Sequence, residues 1–474
     1  MPTTQGNRQI LDQKRWEWVT PAPVANVAGA CVNAADNVRQ AALFVVSNSA
    51  AYLYQPDSDG WTSLPNPGLS GTFGAGAAVT STNWSAGPTA GAVSIAATGG
   101  TTTTIATTLT LARSLNGYRL FVMSGPNAGA TIEILRNTVG ANSTITVPAQ
   151  ASAFSASTTF RLLTPRWFAL TGGNTAGWMR FYDYATNTWT SIATTGAPAA
   201  VNVDSGMTCT PSWRGSGYVS FGNGTSSGTN TSTTLNDTTT SWTASQWINY
   251  QVRISAGTGA GQIRTISAST STSLTVSVAW TVTPDATSVY SIEGNDDFLY
   301  LKTAGTGVMY RYSMSGNAMT ALANSGQGSV GFELLWADSS TDASWGSENA
   351  IVNGRRIYAP RGSAISNIDY YDIPSNTWVQ PISYAPATDT FNTGSSFTFS
   401  GGYIYALKEA TGRAFRLNVA TSEMEGWTQI LYTQGASTVG NRAWMHYYRD
   451  GATTIPFVHF MGNSQNVTFR QMVY

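Results

Sequence analysis

The chain has 474 residues, only 10% of them charged, and its 24 basic and 24 acidic side chains cancel to a formal net charge of zero. That balance excludes electrostatic attraction to nucleic acid or to an anionic membrane surface as the basis of function. Gly is abundant, at 47 residues, and Ser, Thr and Ala alternate with Val, Ile, Tyr and Trp, which excludes a helical protein and points to an all-β one.

Residues 1–15 read as a polar N-terminal arm free to add to a partner. Met1 to Gly6 lacks the basic start and apolar centre of a secretory signal, and no apolar run is long enough to span a bilayer, so a soluble chain is expected. Arg15 to Val19 looks like the outer strand of a sheet. Ala30-Cys31-Val32 looks like an inner strand, and Leu43 to Val46 is a more apolar one. From Tyr52 to Trp61 a tyrosine-rich strand leads through a polar turn to a tryptophan that heads a last strand. The unit recurs as Trp167 to Leu170 with Tyr182-Asp183-Tyr184-Ala185-Thr186-Asn187-Thr188-Trp189, and as Phe298 to Leu301 with Val308 to Tyr312 and Met319 to Leu322. It recurs again as Arg356 to Ala359 with Tyr371-Asp372-Ile373-Pro374-Ser375-Asn376-Thr377-Trp378, and as Tyr403 to Leu407 with Ala414 to Leu417 and Trp427. Phe457 to Met461 and Asn466 to Tyr474 supply a sixth unit that lacks its outer strand, which Arg15 to Val19 is expected to complete. Four strands per unit, alternating with period two, make a propeller blade, and a blade shared by both chain ends would remove free strand edges.

Two stretches break this rhythm and resemble each other. Thr101 to Thr104 and Thr231 to Thr234 lead into Asn116 to Val122 and Ile248 to Ile254. Glycine turns follow, Gly125 to Gly129 and Gly257 to Gly261, and then Thr131 to Leu135 and Ile263 to Ile266. They are read as two copies of one small β-domain, each too long for a loop without structure of its own. Each interrupts its blade after the innermost strand, placed at the Asn83-Trp84 and Ser212-Trp213 segments, so both should project from one face on adjacent blades. Domain boundaries follow: arm 1–15; propeller 16–98, 164–221 and 294–474; first module 99–163; second module 222–293. Without the modules, six units of roughly 56 residues remain, close to the kelch period of about 50.

Strand pairs ending in Tyr-Asp-x-x-x-Asn-Thr-Trp resemble the kelch blades of galactose-oxidase-like propellers, although most units lack the double glycine seen at Gly172-Gly173 and Gly401-Gly402. Asp57 to Thr62 is similar to the aspartate box of sialidase-type propellers, in one unit only. The inserted segment, with Ser241-Trp242 and Gly257 to Gln262 before Ile263 to Ile266, resembles a segment of structural proteins of tailed bacteriophages. The expected fold is therefore an all-β, six-bladed kelch-like β-propeller closed by its N- and C-terminal strands, with two homologous small β-domains inserted in adjacent blades.

Chemistry is harder to place. Cys31 and Cys209 are too few for a disulfide framework and read as small inner-strand residues rather than nucleophiles. Asn295-Asp296-Asp297 reads as a polar turn rather than a cation site, and His446 and His459 as packed strand residues. Arg311, Arg355, Arg356, Arg361, Arg416 and Arg442 are too scattered to define a triad. No catalytic, cofactor or metal site is expected, and the copper chemistry of galactose oxidase has no position to occupy. Trp18, Trp61, Trp189, Trp378 and Trp427 take the structural blade position, and Trp84, Trp213, Trp336 and Trp444 take inner-strand sites. Trp242, Trp247 and Trp280, in the second module, are the candidates for surface contact, against burial in that module's core. The resemblance implies a non-enzymatic virion protein of a tailed phage, in the tail or at the head–tail junction, made in the host cytoplasm and partnered by other virion proteins and copies of itself. The alternatives are a head-decoration or fibre protein that binds host glycan, and a glycan-active propeller enzyme.

Overall fold

The computed structural model describes residues 17–20, 23, 29–32, 42–47, 49–55, 58–70, 78–82, 95–128, 130–170, 179–192, 206–209, 213–214, 217–218, 220–248, 250–293, 298–302, 308–313, 317–324, 335–337, 356–360, 367–373, 376–384, 396–400, 403–407, 413–418, 421–429, 439–450, 453–462 and 468–472. Among them every regular element is a β-strand. The N-terminal arm, Trp84, the double glycines and Asn295-Asp296-Asp297 lie outside the described residues.

β1 (Glu17–Val19) has its partner at the far end of the sequence. β2 (Gly29–Val32), β3 (Ala42–Ser47), β4 (Ala50–Gln55) and β5 (Gly60–Ser63) form a four-stranded antiparallel sheet in sequence order. β6 (Ala78–Thr82) begins a second sheet, which is then interrupted by β7 (Ile95–Gly100), β8 (Thr104–Thr107), β9 (Arg119–Ser124), β10 (Thr131–Glu133), β11 (Arg136–Asn137), β12 (Thr144–Thr146) and β13 (Thr159–Leu163). β14 (Arg166–Leu170), β15 (Met179–Asp183) and β16 (Thr188–Ser191) complete it in the order β16-β15-β14-β6. β17 (Gly206–Cys209) begins the third sheet. It is followed by the hairpin β18 (Trp213–Arg214) and β19 (Gly217–Tyr218), then by β20 (Ser220–Thr225), β21 (Thr234–Asn236), β22 (Gln251–Ala256), β23 (Ile263–Ser269), β24 (Ser273–Val276) and β25 (Val289–Glu293). β26 (Phe298–Lys302), β27 (Val308–Ser313) and β28 (Ala318–Asn324) complete that sheet. The fourth holds β29 (Leu335–Ala337), β30 (Arg356–Pro360), β31 (Asn367–Asp372) and β32 (Thr377–Tyr384). The fifth holds β33 (Ser396–Ser400), β34 (Tyr403–Leu407), β35 (Arg413–Asn418) and β36 (Met424–Gln429). β37 (Val439–Asp450), β38 (Thr453–Gly462) and β39 (Thr468–Met472) form the last sheet, in which β1 pairs with β39 and Trp18 stands opposite Phe469.

The first strands of these sheets are neighbours in turn: β2 lies against β6, β6 against β17, β17 against β29, β29 against β33, β33 against β37, and β37 against β2. The fold is all-β and propeller-like. Period-two alternation gives each sheet two apolar faces, one for each neighbour. On the second sheet Trp167, Ala169 and Tyr182 join a cluster with Leu43, Ala51 and Leu53 of the first, while Phe168, Met179 and Phe181 pack with Leu299, Leu301 and Tyr312 of the third. Tyr300 and Met309 turn the other way, toward Ile357 and Tyr371 of the fourth. Each such buried side chain contributes on the order of 1.5–3 kcal/mol.

The outer turns of the first four sheets share one local chemistry. The hydroxyls of Tyr182, Tyr312 and Tyr371 donate to the side-chain oxygens of Asn187, Asn317 and Asn376 at 2.6, 2.8 and 2.8 Å, and Tyr54 donates to Asp59 at 2.6 Å. The four acceptors have φ between 46° and 57°, a left-handed conformation that Asn and Asp enter more readily than other non-glycine residues. Two residues further on, Trp61, Trp189, Met319 and Trp378 stand opposite the same tyrosines.

Three expectations change. In the fifth sheet the residue opposite the tyrosine-equivalent Leu417 is Met424, after Ser422 at φ 60°, so Trp427 is not the blade residue. A register shift between Ala414 and Phe415 puts Trp427 at the bulge of β36 instead. The innermost strands before the modules are Ala78–Thr82 and Gly206–Cys209, not the Trp84 and Trp213 segments. Trp213 lies in the β18–β19 hairpin, opposite Tyr218 in register. Trp336 and Trp444 are on first strands, as are Cys31 and Cys209, and His446 and His459 are on β37 and β38. Finally, Trp61, Trp189 and Trp378 are half-buried rather than core residues, because each heads an edge strand with a neighbour on only one side.

Candidate functional site

The two modules occupy equivalent places, each between the first and second strands of its sheet. The first has strand order β10-β9-β13-β7-β8-β12-β11 and the second β20-β25-β22-β23-β24-β21, so one pairing scheme serves both, with β23 replacing the pair β10 and β11. Both curl on themselves. In the first, β10 and β11 are separated only by Ile134 and Leu135; in the second, Ser227 N donates to Asn236 O across the seam at 2.8 Å. Gly125 and Gly257 hold the same turn at φ 80° and 77°, where a Cβ would run into the carbonyl oxygens of Ser157 and Thr287.

Equivalent tyrosines seat the modules on the sheets. Tyr118 packs on Tyr184 with ring centroids 5.7 Å apart, and Tyr250 places its hydroxyl 3.0 Å from that of Tyr300. The rest of each seat differs. Arg113 of the first module donates to Tyr182 Oη at 2.7 Å and to Asn187 Oδ1 at 2.8 Å and lies over the Tyr184 ring, while Ala112 N donates to Ala185 O at 2.8 Å. This module is thus held by the outer turn of its own sheet. Burial pushes the Tyr182 phenol well above its ordinary range, against the opposing pull of Arg113, so it remains a neutral donor. The second module is seated on the body of its sheet instead: Arg311 lies over the Tyr250 ring, and Tyr300, which meets Tyr250, lies 6.3 Å from Tyr371 of the fourth sheet, so the module's core joins a cluster shared with that sheet. Burial raises Tyr300 and Tyr371 as well.

Ionic contacts tie neighbouring strands together. Arg166 Nη2 meets Asp183 Oδ2 at 2.8 Å with both side chains buried, and its guanidinium stacks on Phe181. Burial lowers the Arg166 pKa, and Asp183 opposes that shift. Arg356 repeats the pattern, opposite Asp372 in register and over Tyr370. In the second module Arg253 grips Glu293 at 2.7 and 3.1 Å, and burial raises the Glu293 carboxyl against that attraction. Among the described residues no group of three or more His, Cys, Asp or Glu converges as metal ligands would, and no helix is long and apolar enough to cross a membrane.

The three tryptophans weighed between surface contact and the second module's core belong with that core. Trp247 and Trp280 are 1% and 5% exposed, and Trp242 is half-buried, edge-on to Trp247 and Tyr290. The reason is that the second module, like any small domain, needs aromatic volume for its core. Arg113, Tyr118, Tyr250 and Tyr300 escaped the sequence reading. The matching tyrosines at 118 and 250 were the available signal, since a residue kept at one place in two diverged copies marks a shared contact.

No protein-family model matches the sequence, and no curated protein matches it. Solved structures overlap it weakly. A structural-genomics protein of unknown function from Bacteroides thetaiotaomicron has 11% identity and a TM-score of 0.26, over 74% of this chain and 64% of that one. The glutaminyl cyclase of Myxococcus xanthus has 12% identity and a TM-score of 0.25 over 38% and 72%, and a chain of the mitotic checkpoint complex has 9% identity and a TM-score of 0.38 over 97% and 96%. The propeller-like reading therefore rests on the order of the sheets and not on these overlaps.

Proposed function

We propose that the chain is a non-enzymatic structural component of a tailed-phage virion, a tail or head–tail-junction protein built as a six-bladed kelch-like ring closed by its own two ends. The cyclic order of first strands and the β1–β39 pairing support the ring. The observation that carries the functional reading is the seating of two like modules on adjacent sheets through buried contacts, Arg113 and Tyr118 on one and Tyr250 on the other. Such modules keep a fixed geometry, which suits contacts that repeat between subunits in a symmetric assembly. The modules and the N-terminal arm then meet copies of the chain and other virion proteins. Against the glycan-binding alternative, two of its three aromatic candidates, Trp247 and Trp280, are occupied in a core.

Particles from the phage that encodes the chain test the reading directly. Purified virions should contain the chain at a fixed copy number, with imaging that locates a ring bearing two lobes near the tail. Absence from particles, or a recombinant chain that binds or cleaves glycans, would overturn it.

A further inference from the structure

The four outer turns with a tyrosine partner differ in one acceptor. Three carry Asn, at 187, 317 and 376, and the first sheet carries Asp59. Asp59 does more than receive Tyr54. Its Oδ1 accepts Thr20 N at 2.9 Å, and its Oδ2 accepts Thr20 N at 3.1 Å and Thr20 Oγ1 at 2.8 Å. Trp61 Nε1 donates to Thr20 O at 3.0 Å. Every polar group of Thr20 is thus held by the first sheet, one residue past β1. An amide at position 59 would place an NH2 where Oδ2 now accepts the Thr20 N–H and would take the charge from these bonds, so the carboxylate holds Thr20 more strongly than Asn could, whereas Asn serves in the other turns.

Among the described residues β1 is three residues long and pairs with β39 alone. So short a ladder leaves much of its retention to the Thr20 contacts. The same residues from another copy would make the same bonds to Asp59, Trp61 and β39. What favours the chain's own strand is its tether to β2, that is, effective concentration. We propose that Asp59 and Trp61 form a clasp that keeps β1 in its own chain, and that the β39 edge, once the clasp opens, accepts residues 17–20 of a second copy of this chain.

A cysteine pair records which chain supplies the strand. Glu17 and Arg470 stand opposite each other, so Glu17→Cys with Arg470→Cys, oxidised in the full-length chain, closes within one molecule or links two. Hydrogen exchange at the Thr20 amide reports the clasp separately. Adding Asp59→Asn should speed that exchange by roughly tenfold and raise the share of covalent dimer with protein concentration by about fivefold or more. Trp61→Phe, which keeps the turn, should shift both in the same direction. Unchanged protection of Thr20 would overturn the clasp, and lost protection with only intramolecular cross-links would overturn the exchange. Neither result depends on whether the chain belongs to a virion.

Discussion

The indole Nε1 of Trp189 donates to the carbonyl oxygen of Pro65 at 3.0 Å, tying the outer strand of the second sheet to the chain just past the outer strand of the first. Trp61 makes the same bond to Thr20, just past β1, so the repeated tryptophan is a stitch between neighbouring sheets as well as a packing residue. Its ring also lies against the tyrosine of its own turn, 5.3 Å away for Tyr182–Trp189 and 4.9 Å for Tyr54–Trp61.

Trp189→Phe should keep most of the packing and lose the bond, lowering stability by about 1 kcal/mol. Trp189→Ala should cost roughly 2–3 kcal/mol, below the 3–5 typical of a fully buried ring, because Trp189 is half-buried. Urea denaturation of both variants reads the difference. A Phe variant as stable as the parent would mean that the stitch contributes nothing.

Arg166 and Asp183 form a buried pair whose carboxylate also receives the Ala185 and Thr186 backbone N–H groups at 2.9 and 3.3 Å. Asp183→Asn preserves an acceptor for that turn but leaves the guanidinium without its counter-charge, so a loss of about 3–5 kcal/mol is expected. Thermal unfolding of this variant beside Arg166→Met separates loss of charge pairing from loss of packing on Phe181. A shift of only a few tenths would show that the pair is incidental.

Ser422 occupies the left-handed turn position, at φ 60°, that Asn takes in three other sheets. Ser422→Asn should therefore stabilise the chain by roughly 0.5 kcal/mol, since Asn tolerates this conformation better. The denaturation midpoint should rise slightly, and a fall would mean that the fifth turn is held by contacts of the serine itself.

Asp237 in the second module is buried, which acts to raise its pKa. Hydrogen bonds from Thr239, Tyr290 and Ser227 outweigh that effect and leave it below the ordinary 3.8. A depressed carboxylate contributes stability that is fully present above its unfolded value and is lost as pH falls through the folded one. Below about pH 4, then, the second module should loosen, and Asp237→Asn should flatten that part of the acid profile while lowering stability at neutral pH. Trp242, which meets the Tyr290 ring edge-on at 6.3 Å, provides a fluorescence readout. An acid profile identical in parent and variant would contradict the assignment.

Strand positions and outer turns were legible in the residues because their causes are local. Period-two alternation placed β15 and β31, and Asn187 and Asn376 mark left-handed turns through a preference that needs no distant partner. The kinship of the modules was legible too, through the Thr-rich lead-ins and the glycine turns at Gly125 and Gly257. Trp427 misled because a bulge inserts register that no residue type announces, and Met424 can stand where Trp stands in other sheets. Trp213 misled in the same way, since its strand pairs with Tyr218 in a hairpin of its own.

By itself the sequence determined an all-β chain of repeated strand units, two copies of an inserted module, and polar turns ahead of the last strands, since conformational preference is set within a few residues. The tertiary structure alone decided that Tyr250 meets Tyr300 and that Asp59 reaches Thr20. Burial and long-range hydrogen bonds depend on which sheet lies beside which, and residues 39 or 50 positions apart carry no local sign that they will touch.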